Sequence, residues 1–266
     1  MLRRRPLDQP AEPARRLTVG RVTLEIAGGS VVGHRYPENF DLLHVDPELP
    51  LMAVADGMGD GEGSRVAGRT AVTTFVEQVR AGWPTVGAAG LRAATAETQL
   101  RVRRAGAALP GLTGCTLTAL VAEPAGDQGW LVQLGDSRAY RLRDGLLELV
   151  TVDHTMAWLG AVHGWWPATS PEAARARYQL LRYVGHPDRP EPDLLAVPLR
   201  AGDTWLLCTD GVSDQLDYHR LRDLLAARRD LAGTATALLT ATLDEGGEDN
   251  ATAVVVRVHP TVPAPR

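Results

Sequence analysis

The sequence predicts an α+β domain in which antiparallel strands alternate with two groups of helices. Three observations carry this. Val72, Phe75, Val76 and Val79 keep the i, i+3, i+4, i+7 spacing of one helix face over 64–81, and a second helical stretch follows over 90–108. Short apolar runs of strand length succeed one another between 115 and 152, and Asp144-Gly145 between two of them is a hairpin signature. Beyond 200, a strand over 204–208 is followed by helices over 217–229 and 233–243 and a last strand over 251–258.

The remaining elements follow in order. Residues 1–16 hold Arg, Pro, Ala and acids with little apolar content, and a disordered tail is expected there. A first strand is expected over 17–26, with Gly28-Gly29-Ser30 as the turn after it. Strands at 42–45 and 51–55 flank a proline-bounded turn at 47–50. Ser170-Pro171-Glu172 opens a helix with an N-cap serine and a first-turn proline, expected to run to about 183. Residues 187–198 read as a proline-rich crossover, and 260–266 as a second tail. There is no tandem repeat or interior linker, so 17–259 form one domain.

Composition narrows the function. A chain of 266 residues can bury a sizeable core. Its 44% apolar and 23% charged content is that of a soluble globular protein. The net charge of −4, without a basic stripe, argues against a nucleic-acid partner. All 28 basic residues are arginine, which excludes a P-loop or a lysine-dependent kinase site. Cys115 and Cys208 lie inside apolar runs and are expected to be buried, reduced thiols. No apolar stretch is long enough to span a membrane, and Met1-Leu2-Arg3-Arg4-Arg5 opens no signal peptide. A cytoplasmic, monomeric protein is the expectation.

The chemistry is carried by aspartates. Apolar strands run into Asp56-Gly57, into Asp136 after Gly135, and into Asp210-Gly211, while Asp249 stands just before a strand. The end of one antiparallel strand lies beside the start of its neighbour, so the four carboxylates can converge at one sheet edge. Clustered carboxylates raise one another's pKa, and hard divalent cations relieve that repulsion. Oxygen ligands suit Mg²⁺ or Mn²⁺ rather than Zn²⁺. Two such ions a few ångströms apart make a site for phosphoryl hydrolysis.

Six short motifs stand in one order: Asp56-Gly57-Met58-Gly59, Gly114-Cys115-Thr116, Gly135-Asp136-Ser137-Arg138, Asp153-His154, Cys208-Thr209-Asp210-Gly211-Val212-Ser213-Asp214 and Asp249-Asn250-Ala251-Thr252. Together they resemble the metal-dependent serine/threonine phosphatases of type 2C, the PPM family, in its bacterial form. Each motif alone is weak; six in order over about 18–258 are specific. The resemblance implies a four-layer αββα sandwich, two packed antiparallel sheets flanked by helices on both faces. It implies that Asp56 bridges two Mn²⁺ or Mg²⁺ ions and that Gly57 offers its carbonyl to one of them. Asp210 and Asp249 then hold the first metal, and Asp136 supports a third ion together with Asp210. Arg35 resembles the arginine that grips the phosphate, a role that suits the planar guanidinium fork, and Asn250 orients ligands from behind. The implied reaction is in-line attack on phosphoserine or phosphothreonine by a hydroxide bridging the metals. The implied partners are phosphorylated proteins, among them a serine/threonine kinase and its substrates.

The sequence departs from the family at three places. Where the family reads Arg-x-x-Asn-Glu/Gln-Asp, this chain has Arg35-Tyr36-Pro37-Glu38-Asn39-Phe40-Asp41, with one extra residue and Phe40 in place of the Glu/Gln. Asn39 and Asp41 match the motif, and Glu38 is a candidate for the missing water-mediated contact. Asp60 adds a carboxylate where the family usually has glycine. The segment after His154 is rich in tryptophan (Trp158, Trp165, Trp166), unlike the usual flap. Met58 supplies no proton donor for the leaving group. Two further readings stay open: a catalytically silent phosphatase-like binding module, and a two-metal hydrolase of small phosphate esters. His154 reads as a structural histidine, Asp214 as a cap or turn residue, and Trp165-Trp166 as packing for the flap.

Overall fold

A computed structural model describes residues 14–261. The described chain begins with β1 (Arg15–Val19), β2 (Val22–Val31), β3 (Leu42–Val45) and β4 (Leu51–Ala55). Two long helices follow, α1 (Glu62–Gly82) and α2 (Ala88–Gly106). Next come β5 (Leu117–Ala122), β6 (Gln128–Leu134), β7 (Arg138–Arg143) and β8 (Leu146–Leu149). Short helices α3 (Met156–Val162) and α4 (Pro171–Ala176) precede β9 (Asp193–Pro198) and β10 (Thr204–Cys208). The described chain closes with α5 (Asp210–Ser213), α6 (Tyr218–Ala226), α7 (Leu231–Asp244) and β11 (Ala251–Pro260).

The strands form two antiparallel sheets, ordered β1-β2-β11-β10-β7-β8 and β3-β4-β5-β6-β9. Alternation along each strand sends one set of side chains inward between the sheets and the other outward under helices. Leu24, Ile26, Met52, Val54, Leu131, Trp205 and Val256 fill the space between the sheets. Leu51, Ala53, Leu117 and Val132 face the other way, onto Ala71, Phe75 and Val79 of α1 and Leu91 and Val102 of α2. Leu206, Cys208, Ala253 and Val255 pack under Leu221 and Leu225 of α6 and Leu238 and Leu239 of α7. Each fully buried Leu, Ile or Val contributes about 1.5–3 kcal/mol, so three contiguous cores hold four layers together. The expected αββα sandwich is the observed fold. No helix of the described residues is long and apolar enough to cross a membrane.

Several local expectations are corrected. The single strand expected over 17–26 is a hairpin, folded back at Gly20, whose φ of +51° lies in the left-handed region. Gly28-Gly29-Ser30 is not a turn: it lies within β2, paired with Val254, Ala253 and Thr252 of β11. Pairing with a central strand overrides the glycine signal, as tertiary context does for strand propensity. The expected helix from Ser170 starts as read, with the serine oxygen accepting from Ala173 N at 3.1 Å, but ends at Ala176. The chain must then cross to pair Leu180 with Thr155. The crossover over 187–198 ends in β9, which among the described residues pairs with β6 alone, and this edge position tolerates the one proline it contains, Pro198. Helices α3 and α5 were not anticipated. Arg15 and Arg16 lie in β1 rather than in the tail expected over 1–16. The rest of that segment, 1–13, and 262–266 of the second tail lie outside the described residues.

Candidate active site

The four aspartates meet at one end of the sandwich, not along one sheet edge. Asp56 follows β4 of the five-stranded sheet, and Asp210 and Asp249 flank β10 and β11 of the six-stranded sheet. Asp136 sits in the turn that carries the chain from β6 in one sheet to β7 in the other. The cavity between them measures about 280 Å³. Asp56, Gly57, Asp136, Asp210, Asp249 and Asn250 all line it. Both sheets must therefore pack correctly before the site exists.

Backbone close to these residues is tightly held. The Asp56 N–H donates to Thr116 Oγ1 at 2.8 Å, and the Thr116 N–H donates to the Asp56 carbonyl at 2.8 Å. Gly57 donates its N–H to the Phe40 carbonyl at 3.3 Å. Asn250 stitches two loops: its Oδ1 accepts from Gly33 N, and its Nδ2 donates to the Glu38 carbonyl, both at 3.2 Å. Gly33 and Gly211 permit this closeness. A Cβ at Gly33 would stand 2.1 Å from the Asp249 carbonyl oxygen, and one at Gly211 would stand 1.9 Å from that of Asn250.

Asp41 anchors the floor. Its Oδ2 accepts from Thr209 Oγ1 and Thr252 Oγ1, each at 2.7 Å. Ser30 lies 2.6 Å from Thr252 Oγ1 and accepts from Asn39 Nδ2 at 2.7 Å, while Asn39 Oδ1 accepts from Asp41 N at 3.1 Å. Asn39 and Asp41 thus lie behind the cavity wall. Glu38 does not: its carboxylate pairs with Arg65 on α1 at 2.7 Å in an exposed ion pair, and only its carbonyl joins the site.

Arg35 is exposed and does not line the cavity. Its N–H is held by the Glu248 carbonyl at 3.0 Å, and its guanidinium stands 5.3 Å from the Tyr36 ring centre. Its charge reaches Asp249, whose pKa it lowers. Tyr36 and Phe40, edge to face at 6.0 Å, form an aromatic wall that the sequence reading missed. The extra residue and the Phe40 substitution were its signal. Tyr178 and Leu180 of the flap also line the cavity, and nothing in their sequence marks them.

Electrostatics set the chemistry. Burial first, then the charges of Asp41, Asp210, Asp249 and Asp136, push the Asp56 carboxyl well above its ordinary value. Burial, then Asp210 and Asp153, do the same to Asp136. Burial raises Asp210 to about 6, aided by Asp249 and Asp214 and opposed by a hydrogen bond from Asp56. Asp41 rises to about 7, mainly through burial, against its two threonine hydrogen bonds. Asp249 rises through burial, against the Asn250 N–H at 2.7 Å and Arg35. Among the described residues no three of these groups close into a ready-made metal cage.

The residues fit hard divalent cations. Asp41 Oδ1 and Asp210 Oδ1 are buried without a hydrogen-bond partner, and such orphaned oxygens call for a cation. The donors are oxygens throughout. Cys115 and Cys208 are free and buried, as expected, and burial raises both thiols, Cys208 to about 12, so neither offers a thiolate. Asp136, Asp210 and Asp214 also wall a small adjoining cavity of about 10 Å³, together with Arg138 and Arg177. Arg138 is held by Asp153 through two bonds at 2.9 and 2.6 Å, and Arg177 pairs with Asp214. Asp214 caps α5, as read, and anchors the flap as well. His154 is a structural histidine: its Nδ1 accepts from Gly135 N at 3.1 Å, and its Nε2 faces Asp193 at 3.0 Å.

This fold and site have relatives. The sequence matches the model of the protein phosphatase 2C family over residues 39–245. It is 27% identical over 229 residues to the serine/threonine phosphatase stp of Listeria welshimeri, spanning 85% of this chain and 91% of that one. It is 33% identical over 220 residues to the serine/threonine protein phosphatase PstP of Mycobacterium tuberculosis, spanning 78% of this chain and 40% of that longer one. The solved catalytic domain of PstP in complex with two manganese ions superposes with a TM-score of 0.78 at 32% identity, covering 90% of this chain and 99% of that one. The chain belongs to the protein phosphatase 2C family, the metal-dependent serine/threonine protein phosphatases, and is a hydrolase of that class.

Proposed function

We propose that this chain removes phosphate from phosphoserine and phosphothreonine of proteins, with Asp56, Asp136, Asp210 and Asp249 as the metal-holding carboxylates. The observation that carries the reading is the convergence of these four acids from both sheets on one cavity. Two Mn²⁺ or Mg²⁺ ions, when bound, supply a hydroxide nucleophile from the water between them and balance charge on the phosphoryl oxygens. Asp56 and the Gly57 carbonyl, both on the cavity lining, would hold the metal ions. Asp210 and Asp249 hold one ion. Asp136 would support a third ion together with Asp210, on the wall of the small cavity that Arg177 also lines.

The chain's own residues do the rest. Asn250 holds Asp249 by joining the loops at Gly33 and Glu38. Asp41 keeps Thr209 and Thr252 fixed behind Asp210. Arg35, at the rim, receives the phosphate through its planar fork and offsets charge on the equatorial oxygens. Tyr36 and Phe40 exclude water from one side. A serine/threonine kinase and its substrates are the natural partners, by analogy with relatives named as serine/threonine phosphatases. A monomer in the cytoplasm completes the reading.

A silent binding module is the second reading, and retention of all four carboxylates supports the enzyme instead. Hydrolysis of p-nitrophenyl phosphate and of a phosphothreonine peptide, each with and without Mn²⁺, is the test. Mn²⁺-dependent release from the peptide is expected. Folded protein without any Mn²⁺-dependent turnover would sink the enzyme reading, and turnover of the small ester alone would point to small phosphate esters.

A further inference from the structure

The end of the sandwich away from the carboxylates carries the opposite charge. Asp136 precedes β7 and Asp144 follows it; Asp210 follows β10 and Gly202 precedes it. A six-residue strand spans roughly 20 Å, so the two ends are well separated. There the Asp144-Gly145 turn, Gly202, the C-terminal end of α6 and Arg257 of β11 enclose a cavity of about 560 Å³. That is about twice the volume of the acidic cleft.

Three arginines line it: Arg228 and Arg229 on the loop after α6, and Arg257. Arg257 Nη1 lies 3.4 Å from the Arg229 carbonyl, which ties the loop to the sheet. None of the three has a carboxylate partner among the described residues. Neighbouring arginines do: Arg141 pairs with Glu148, and Arg143 pairs with Asp203, both at 2.6 Å. Asp144 is the one acid of the lining, and its charge acts on Arg143. The floor is apolar, with Leu142 and Leu225 buried beneath.

We propose that this cavity is a second anion site, separate from the acidic cleft, that binds a phosphate or diphosphate group carried on an organic body. Three arginines around one cavity exceed what its single carboxylate offsets and suit the several oxygens of a phosphate. The apolar floor receives the organic part. The acidic cleft holds phosphate only with metal present, whereas this cavity holds it without. The ligand is not turned over here, because no carboxylate set faces it. Two sources share this chemistry: a free nucleotide, or a phosphorylated segment of a protein partner.

The test is isothermal titration of the metal-free, EDTA-treated protein with ADP, with pyrophosphate and with a phosphothreonine peptide. One-to-one binding of at least one probe is expected, weakening as salt rises. ADP binding best points to the nucleotide, and the peptide binding best points to the protein segment. The triple variant Arg228→Ala, Arg229→Ala, Arg257→Ala is expected to bind about tenfold more weakly or worse, with an unchanged circular dichroism spectrum. Should that variant fail to fold, the exposed pair Arg228→Glu, Arg229→Glu is expected to show the same loss. Arg35→Ala is expected to bind as the wild type does. Absence of binding to the wild type, binding untouched in the arginine variants, or binding lost in Arg35→Ala would each overturn the proposal. Because metal is absent throughout, the outcome does not depend on the phosphatase reading.

Discussion

Replacing Asp210 by asparagine should stabilise the metal-free protein while removing its response to metal. In the folded chain burial and the charges of Asp249 and Asp214 raise the Asp210 carboxyl from 3.8 to about 6. The folded state therefore keeps a proton that the unfolded state releases. The stability this brings is fully present below 3.8 and is lost as pH rises through about 6. At ~1.4 kcal/mol for each pH unit, ionised Asp210 costs on the order of 3 kcal/mol at pH 7.5 and roughly half that at pH 5. Asparagine keeps the shape without the charge. Asp210→Asn is thus expected to melt about 6–12 °C above the wild type at pH 7.5 in EDTA, with roughly half that gain at pH 5. Mn²⁺ should raise the wild-type melting temperature at pH 7.5 and leave the variant nearly unmoved. Differential scanning fluorimetry of both proteins, at both pH values and with and without Mn²⁺, reads all of this. A variant no more stable than the wild type at pH 7.5 in EDTA would refute the idea that uncompensated carboxylate charge burdens this site.

Asp56→Asn and Asp249→Asn are each expected to lower kcat by about a hundredfold or more and to weaken Mn²⁺ binding in titration, with unchanged circular dichroism; full activity in Asp56→Asn would remove it from the bridging role. Thr252→Val breaks the 2.7 Å bond to Asp41 and the contact with Ser30, and urea unfolding should show a loss of about 1–3 kcal/mol. His154 is held below its ordinary 6.5, first by burial and then by the Arg182 charge, against Asp193. Its contribution is therefore present above pH 6.5 and lost as pH falls further, so His154→Gln should flatten the melting profile between pH 7 and 5. Tyr36→Ala removes the ring beneath the Arg35 guanidinium. KM for a phosphopeptide should rise several-fold with kcat little changed, and Tyr36→Phe should restore it.

Much of the site was legible because each aspartate is announced locally. An apolar run ending in Asp56-Gly57 or Asp210-Gly211 is a buried strand that stops where a carboxylate begins, and this needs no knowledge of the partner strand. The helix pair over α1 and α2 was equally plain, since its period lies within the segment. Glu38 was misread because its distance from Asn39 in sequence says nothing about Arg65, which the packing of α1 brings within 2.7 Å. Gly28-Gly29 looked like a turn because the strand that fills the space beside it, β11, lies more than 200 residues away. Strand β9 was hidden by the prolines just before it, Pro187, Pro190 and Pro192, and by Pro198 at its end, which an edge position tolerates.

The sequence by itself determined the identity and order of the aspartates that line the cavity, the oxygen-only donor set and the α+β class, because those properties reside in residue type and local periodicity. The αββα layering followed from the resemblance that the six ordered motifs carry. The tertiary structure alone decided that the four carboxylates come from both sheets and surround one end of the sandwich. It also decided that Tyr36 and Phe40 wall the cavity and that three arginines without a carboxylate partner among the described residues line the far cavity. Burial, mutual charge and partnership arise only when distant segments pack, and no stretch of sequence carries them alone.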